Sequence, residues 1–205
     1  MKAIVDVTLL AEVLITLFVI MDPPGAIPLF LSLTHGLSPR ARRRAAWQAV
    51  LVAFCVIVVF ALFGREILAY LHISLPALKC AGGLLLLLVA LELLTGREQE
   101  VNATQDVNVA LVPLGTPLLA GPGAIVATMV FAERVDETPD FVAVALGVVG
   151  VHAVMWATLR YSTVILRLIK ESGITLVTRI AGLLLSAIAV QLIADAVRAF
   201  IAGEG

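Results

Sequence analysis

Apolar positions in this chain come in long unbroken runs rather than in stripes along one face. A helix crossing a hydrocarbon layer of ~30 Å takes about 20 apolar residues. Six segments reach that length: Leu9 to Leu33, Ala45 to Phe63, Leu78 to Leu94, Val109 to Phe131, Phe141 to Leu159 and Ile180 to Phe200, with soft ends. Helices apolar all round belong in lipid or in a large core. The pattern predicts an all-α, polytopic membrane protein of six transmembrane helices. The only extended polar stretch, at residues 96–108, divides the chain into 1–95 and 109–205. Each part holds three predicted spans within one integrated membrane domain.

Two polar interruptions break the pattern at corresponding places. The first is Met21-Asp22-Pro23-Pro24-Gly25-Ala26-Ile27-Pro28, inside span one, and the second is Leu119-Ala120-Gly121-Pro122-Gly123-Ala124-Ile125, inside span four. Pro24, Gly25, Ala26 and Ile27 match Pro122, Gly123, Ala124 and Ile125 at an offset of 98 residues. A second match joins spans three and six. Lys79-Cys80-Ala81-Gly82 aligns with Arg179-Ile180-Ala181-Gly182 at an offset of 100. Two matches in one order predict two related halves. Three spans per half force the second copy to enter from the opposite side, so the repeats are expected to be inverted.

Proline lacks an N–H and clashes with the preceding turn, so a helix stops or kinks there. Backbone groups freed inside a bilayer are tolerated only where protein buries them or a wet cavity solvates them. Both breaks are therefore expected to face inward and to meet near the midplane. Asp22-Pro23 reads as a helix start, with Asp at the N-cap and a half-helix beginning near Pro24. A second half-helix is expected from Pro122. Helix N-termini favour anions, and Gly25, Gly121 and Gly123 let a ligand approach the backbone. Asp22 faces Ala120 across the repeat, so only the second N-terminus lacks an acid. The expectation is that the N–H groups of Gly123 to Ile125 hold a substrate carboxylate. Asp22 then attracts an ammonium group or carries a coupled proton or cation. A small zwitterion suits the pair.

Composition agrees with the membrane reading: 61% of residues are hydrophobic and 14% charged, against about half and about a quarter in soluble domains. A net charge of −1, with no basic run interleaved with aromatics, speaks against nucleic-acid binding. Cys55 and Cys80 have no CxxC spacing and read as packing residues. No metal set, catalytic nucleophile with a base, P-loop or cofactor motif is present, so neither an enzyme nor an ATP-driven pump is expected. Asp6 and Glu12 interrupt the first run and no cleavage site ends it, so it reads as a retained span. Arg40, Arg42, Arg43, Arg44, Arg97, Arg160, Arg167, Lys170 and Arg179 outnumber the basic residues of the opposite side. The positive-inside rule puts them in the cytoplasm and both termini outside, in the periplasm of a Gram-negative host.

Other polar residues within the spans are weaker candidates. Thr116 and Thr128 flank the second break and can bond backbone carbonyls. Gln191 lies deep in span six, where it can bond across helices or touch substrate, and Glu92 joins Asp22 as a coupling-ion candidate. His152 reads more readily as a packing partner than as a proton relay. Ala77, Ala81, Gly82, Gly182 and Ser186 are small enough for close helix crossing in lipid, which makes spans three and six the expected central pair.

The sequence resembles the MarC family of bacterial inner-membrane proteins, also called the NAAT group of neutral amino acid transporters. The likeness rests on Asp22-Pro23-Pro24-Gly25-Ala26-Ile27-Pro28-Leu29-Phe30, on Pro117-Leu118-Leu119-Ala120-Gly121-Pro122-Gly123-Ala124-Ile125 and on Ala187-Ile188-Ala189-Val190-Gln191-Leu192-Ile193. It implies six spans in the inner membrane and transport of small neutral amino acids such as glycine or alanine. Ala26 stands where members often carry Asn, removing a polar group beside the first break. The expected function is secondary transport, coupled to protons or sodium, with a small zwitterion and the lipid bilayer as partners; a homo-oligomer is compatible with it. A channel, an exporter of another small polar solute and a non-transporting scaffold are the alternatives.

Overall fold

The structure, a computed structural model, describes residues 5–96 and 119–203. Within them the chain forms helices α1 (Val7–Met21), α2 (Ala26–Leu33), α3 (Pro39–Leu71), α4 (Leu75–Thr95), α5 (Pro122–Glu133), α6 (Thr138–Arg160) and α7 (Ser162–Ala202), and no strand is found among these residues. Four of these, α3, α4, α6 and α7, are each long and apolar enough to cross a membrane. The pair α1 and α2, bent by 50°, is long and apolar enough only when taken together. Span four is described only in its second half, as α5; its first half lies outside the described residues, as do Thr116 and the inter-repeat loop after Gly96.

Local chemistry sets the ends. The Asp6 carboxylate accepts the Leu9 N–H at 2.9 Å and caps α1. The Ser38 and Ser74 hydroxyls accept from Ala41 and Ala77 and start α3 and α4, each with a proline in the first turn, where a missing N–H is harmless. Glycine 96, at φ +70°, closes α4. The stretch between Arg160 and Arg179, which hydropathy leaves as a connection, is helical from Ser162 onward. Arg, Lys and Glu lower hydropathy without lowering helix propensity. Only Lys170 (φ 62°, ψ 167°) interrupts it, in a region that residues other than glycine rarely adopt.

Side-chain pairs give the helix directions. Along α1 and α6, Asp6 meets Pro139 and Val13 meets Gly147, so these run parallel. Trp47 meets Trp156 and Phe54 meets His152, so α3 and α6 run antiparallel. Glu12 meets Arg134 and Ile20 meets Gly123, making α1 and α5 antiparallel. Gly82 against Val126 and Gly123 against Leu86 do the same for α4 and α5. Among the described helices, α1, α4 and α6 run one way and α3, α5 and α7 the other. The chain enters beside the start of α6, and α3 leaves beside its end, so α1 and α2 together traverse the layer instead of returning to the side they came from.

The closest crossing is α4 with α7, as the small residues predict. A Cβ on Gly83 would lie 2.7 Å from Ile193 Cγ1 and 2.8 Å from the Ala189 carbonyl. A Cβ on Gly182 would lie 3.0 Å from Leu93 Cβ and 3.2 Å from the Ala90 carbonyl. Gly82 aligns with Gly182 and Leu93 with Ile193 in the repeat, so the crossing is nearly reciprocal, as contacts about a two-fold axis are. Backbone cannot yield as a side chain does. Gly83→Ala is therefore expected to destabilise the protein by roughly 1–3 kcal/mol, and Gly182→Ala by clearly less; thermal unfolding in one detergent checks the order. Apolar side chains on the opposite faces, among them Leu84, Leu88, Leu91, Ile180 and Leu183, are exposed, as lipid contact requires.

Candidate functional site

The first break is organised by Asp22, which is buried. Its N–H reaches the Phe18 carbonyl at 3.1 Å, and its backbone turns left-handed at φ 39°, ψ 67°. Asp22 is thus the C-cap of α1, not the expected N-cap of the next helix. Two prolines follow, so the carbonyls of Val19 and Ile20 have no donor four residues on. The chain makes one turn through Pro23 to Gly25, and α2 starts at Ala26 with Gly25 as N-cap, two residues later than predicted. The Ala26 N–H goes to the backbone carbonyl of Asp22 at 3.0 Å, and Ile27 N–H to that of Pro24 at 3.1 Å. The left-handed turn explains the correction: it ends the α1 ladder and leaves the Asp22 carboxylate lying over Gly25 rather than at the first turn of α2.

The second break has no acid. Gly121 is the N-cap of α5 without a side-chain cap, and Pro122 follows at the first helical position. The expected trio of free N–H groups is reduced to one. Ala124 N–H and Ile125 N–H both reach the Gly121 carbonyl, at 3.0 and 3.2 Å. Among the described residues only Gly123 of the three makes no backbone bond there. Its counterpart in the repeat, Gly25, makes none either. Thr128 Oγ1 donates to the Ala124 carbonyl at 2.7 Å, so it braces the first turn of α5.

The two breaks adjoin. A Cβ on Gly123 would stand 3.5 Å from Ile20, two residues before Asp22, and collide with Leu86 of α4. Met21, Ala26, Leu119, Ala120 and Ala124 share one buried cluster. Gly123 is therefore a close-packing glycine as well as a candidate ligand contact. Pro24, Gly25, Gly121 and Ile125 are half-buried at the junction, and Pro122 is exposed.

Two sequence candidates are not brought to the junction. Gln191 is exposed on α7, where its Nε2 donates to Asp195 Oδ1 at 2.8 Å. It sits on a different face from Ala189 and Ile193, which meet α4. Glu92 is half-buried near the end of α4, and no described contact joins it to either break. His152 is buried, with Nδ1 2.7 Å from the Val148 carbonyl and its ring edge-on to Phe54, mainly a packing partner between α3 and α6.

One residue at the break was not singled out in the sequence. Thr178 of α7 places Oγ1 2.9 Å from the point where a Gly25 Cβ would stand, beside the Asp22 carboxylate. It lies in the polar stretch that hydropathy assigns to a connection, and nothing local marks it.

A cavity of about 300 Å³ lies elsewhere, at the far ends of α3 and α5, lined by Phe60, Gly64, Arg65, Met129, Glu133 and others. Arg65 pairs there with Glu133, and Arg134 with Glu12 at 2.7 Å. Both pairs are largely exposed and tie the end of α5 to α3 and α1; such pairs are worth about 0–1 kcal/mol. Arg65 at this cavity is exposed and Glu133 half-buried, whereas Asp22 at the first break is buried.

Alternating apolar helices with lipid-facing outer surfaces and buried polar interruptions define a multi-pass integral membrane protein. The chain belongs to the MarC family: the family of MarC family integral membrane proteins matches residues 7–201. It is 38% identical to a UPF0056 membrane protein of Methanocaldococcus jannaschii, covering 89% of this chain and 93% of that one. It is 34% identical to a UPF0056 membrane protein of Archaeoglobus fulgidus, covering 88% of each. With the UPF0056 membrane protein YhcE of Escherichia coli it shares 30% identity over 92% of each chain. No solved structure matches the chain.

Proposed function

We propose that the protein is a secondary transporter of small neutral amino acids, of the size of glycine or alanine, across the bacterial inner membrane. The observation that carries this reading is the junction of the breaks. A buried acid closes one helix, and an uncapped helix N-terminus opens another against the same turn of α1. The Gly123 N–H and the positive end of α5 suit a carboxylate, and the Asp22 carboxylate a positive charge. Two inverted repeats moving against each other would expose the junction to either side in turn. The reciprocal α4–α7 crossing and the alternating helix directions support that arrangement. By the positive-inside rule the arginines at the start of α3 favour a cytoplasmic side for that end and a periplasmic side for the termini. This reading assigns no catalytic residue, metal or cofactor.

Uptake into proteoliposomes tests it. Labelled glycine and alanine are expected to accumulate above equilibrium under an imposed proton or sodium gradient. Uptake that stops at equilibrium would favour a channel, and none for any small zwitterion would remove the substrate assignment.

A further inference from the structure

The side of α7 turned away from α4 carries polar groups where lipid is expected. Gln191 is exposed there, and its Nε2 donates to Asp195 Oδ1 one turn further on. Arg198 stands 3.9 Å from the same oxygen, with 79% of its side chain exposed. The rest of the Gln191 amide, one N–H and the carbonyl oxygen, makes no hydrogen bond among the described residues.

Depth makes this arrangement costly. The charge-free stretch between Arg179 and Asp195 is residues 180–194, which rises roughly 22 Å as helix, short of the ~30 Å hydrocarbon layer. Arginine reaches the headgroups along its long stem; the short aspartate side chain does not. Gln191, a turn further in than Asp195, therefore lies in hydrocarbon, where an exposed polar group finds no water to bond. The repeat supplies an internal comparison. Residues 184, 188 and 191 of α7 correspond to Leu84, Leu88 and Leu91 of α4 at the offset of 100. Those three leucines are exposed, and lipid satisfies them. At the matching place on α7 stand a glutamine and, one turn on, an acid. Lipid covers the first face, and the second needs protein.

The groups on the face define the partner. The free half of the amide offers one donor and one acceptor, which is what another Gln191 amide requires. Two copies inserted in the same direction are related by a two-fold axis along the membrane normal, and residues beside such an axis meet their own counterparts at one depth. Asp195 and Arg198 place one acid and one base on the same face, so a second copy matches both signs with no outside charge. Ala187, exposed one turn before Gln191, is small enough for close helix approach in lipid.

We infer that this face of α7 is a homodimer interface within the membrane, with paired Gln191 amides at its centre and Asp195 and Arg198 exchanged between copies at its C-terminal edge. The inference is independent of what the protein transports.

The test is association of the full chain in lipid vesicles, followed by energy transfer between fluorescently labelled copies as lipid dilutes the protein. A wild-type dimer that dissociates on dilution is expected. Gln191→Leu is expected to dissociate at a protein density roughly 3- to 30-fold higher, the worth of a polar contact between membrane helices. Leu91→Ala, at the matching place on α4, is expected to behave as wild type. Disulfide cross-linking in membranes gives a second reading. In a chain carrying Cys55→Ala and Cys80→Ala, Ala187→Cys is expected to form covalent dimers and Leu88→Cys is not. A wild type that is monomeric at every density overturns the inference, and is the outcome if lipid, another protein or another segment of this chain covers the face. Gln191→Leu associating as tightly as wild type, or equal cross-linking at the two cysteine positions, overturns it as well.

Discussion

Asp22→Asn is expected to abolish gradient-driven uptake while leaving the turn at the first break in place. Asparagine tolerates the left-handed backbone at position 22 as well as aspartate does, so the chain that closes α1 keeps its shape. The positive charge that Asp22 serves in transport loses an interaction of about 3 kcal/mol, on the order of 100-fold in affinity. Uptake is the measurement, with thermal unfolding of the same preparation showing that the variant is folded. Uptake within about twofold of wild type would show that the Asp22 charge serves only the turn; a loss of that size is what its interaction energy requires.

Gly123→Val is expected to be the most damaging single change at the junction, and Leu86→Ala to relieve it. The added Cβ would collide with the end of the Leu86 side chain and stand 2.7 Å from its Cγ. Overpacking of a tight contact costs roughly 1–3 kcal/mol, and a branched residue pushes toward the upper end. The collision separates α5 from α4, and with it the Gly123 N–H from the α1 break. Substrate binding should therefore fall together with stability. In Gly123→Val with Leu86→Ala, the vacated space takes the new methyl groups, and the pair is expected to couple favourably by about 1 kcal/mol or more. Thermal unfolding of the four proteins of this cycle measures the coupling. Additive effects would show that the two residues do not meet as described.

The spans were legible because lipid asks for length and apolarity together, and both are properties of a run of residues. The first interruption was legible because Pro23 and Pro24 remove donors wherever they stand. Which helix Asp22 serves was not. Asp before proline suits the end of one helix as well as the start of another, and the choice fell to the left-handed turn at residue 22, which the sequence permits without requiring. The Gly123 to Ile125 donors were read as free because all first-turn N–H groups begin free; the turn of chain before Pro122 brought the Gly121 carbonyl onto two of them. Gln191 and Thr178 exchanged importance for a similar reason. Helical phase relative to α4 carried Gln191 to the outer surface, and the passage of α7 beside α2 carried Thr178 to Gly25.

The sequence by itself determined that this chain lives in a bilayer, where its helices run and where two of its crossings are interrupted, since each follows from transfer of side chains into lipid or from a missing N–H. Only the tertiary structure decided that the interruptions adjoin, that Asp22 closes α1 and that a hydroxyl 156 positions further along the chain lies beside its carboxylate. Those facts depend on which faces of distant helices pack together, and close packing is a property of pairs of surfaces that no single stretch of chain contains.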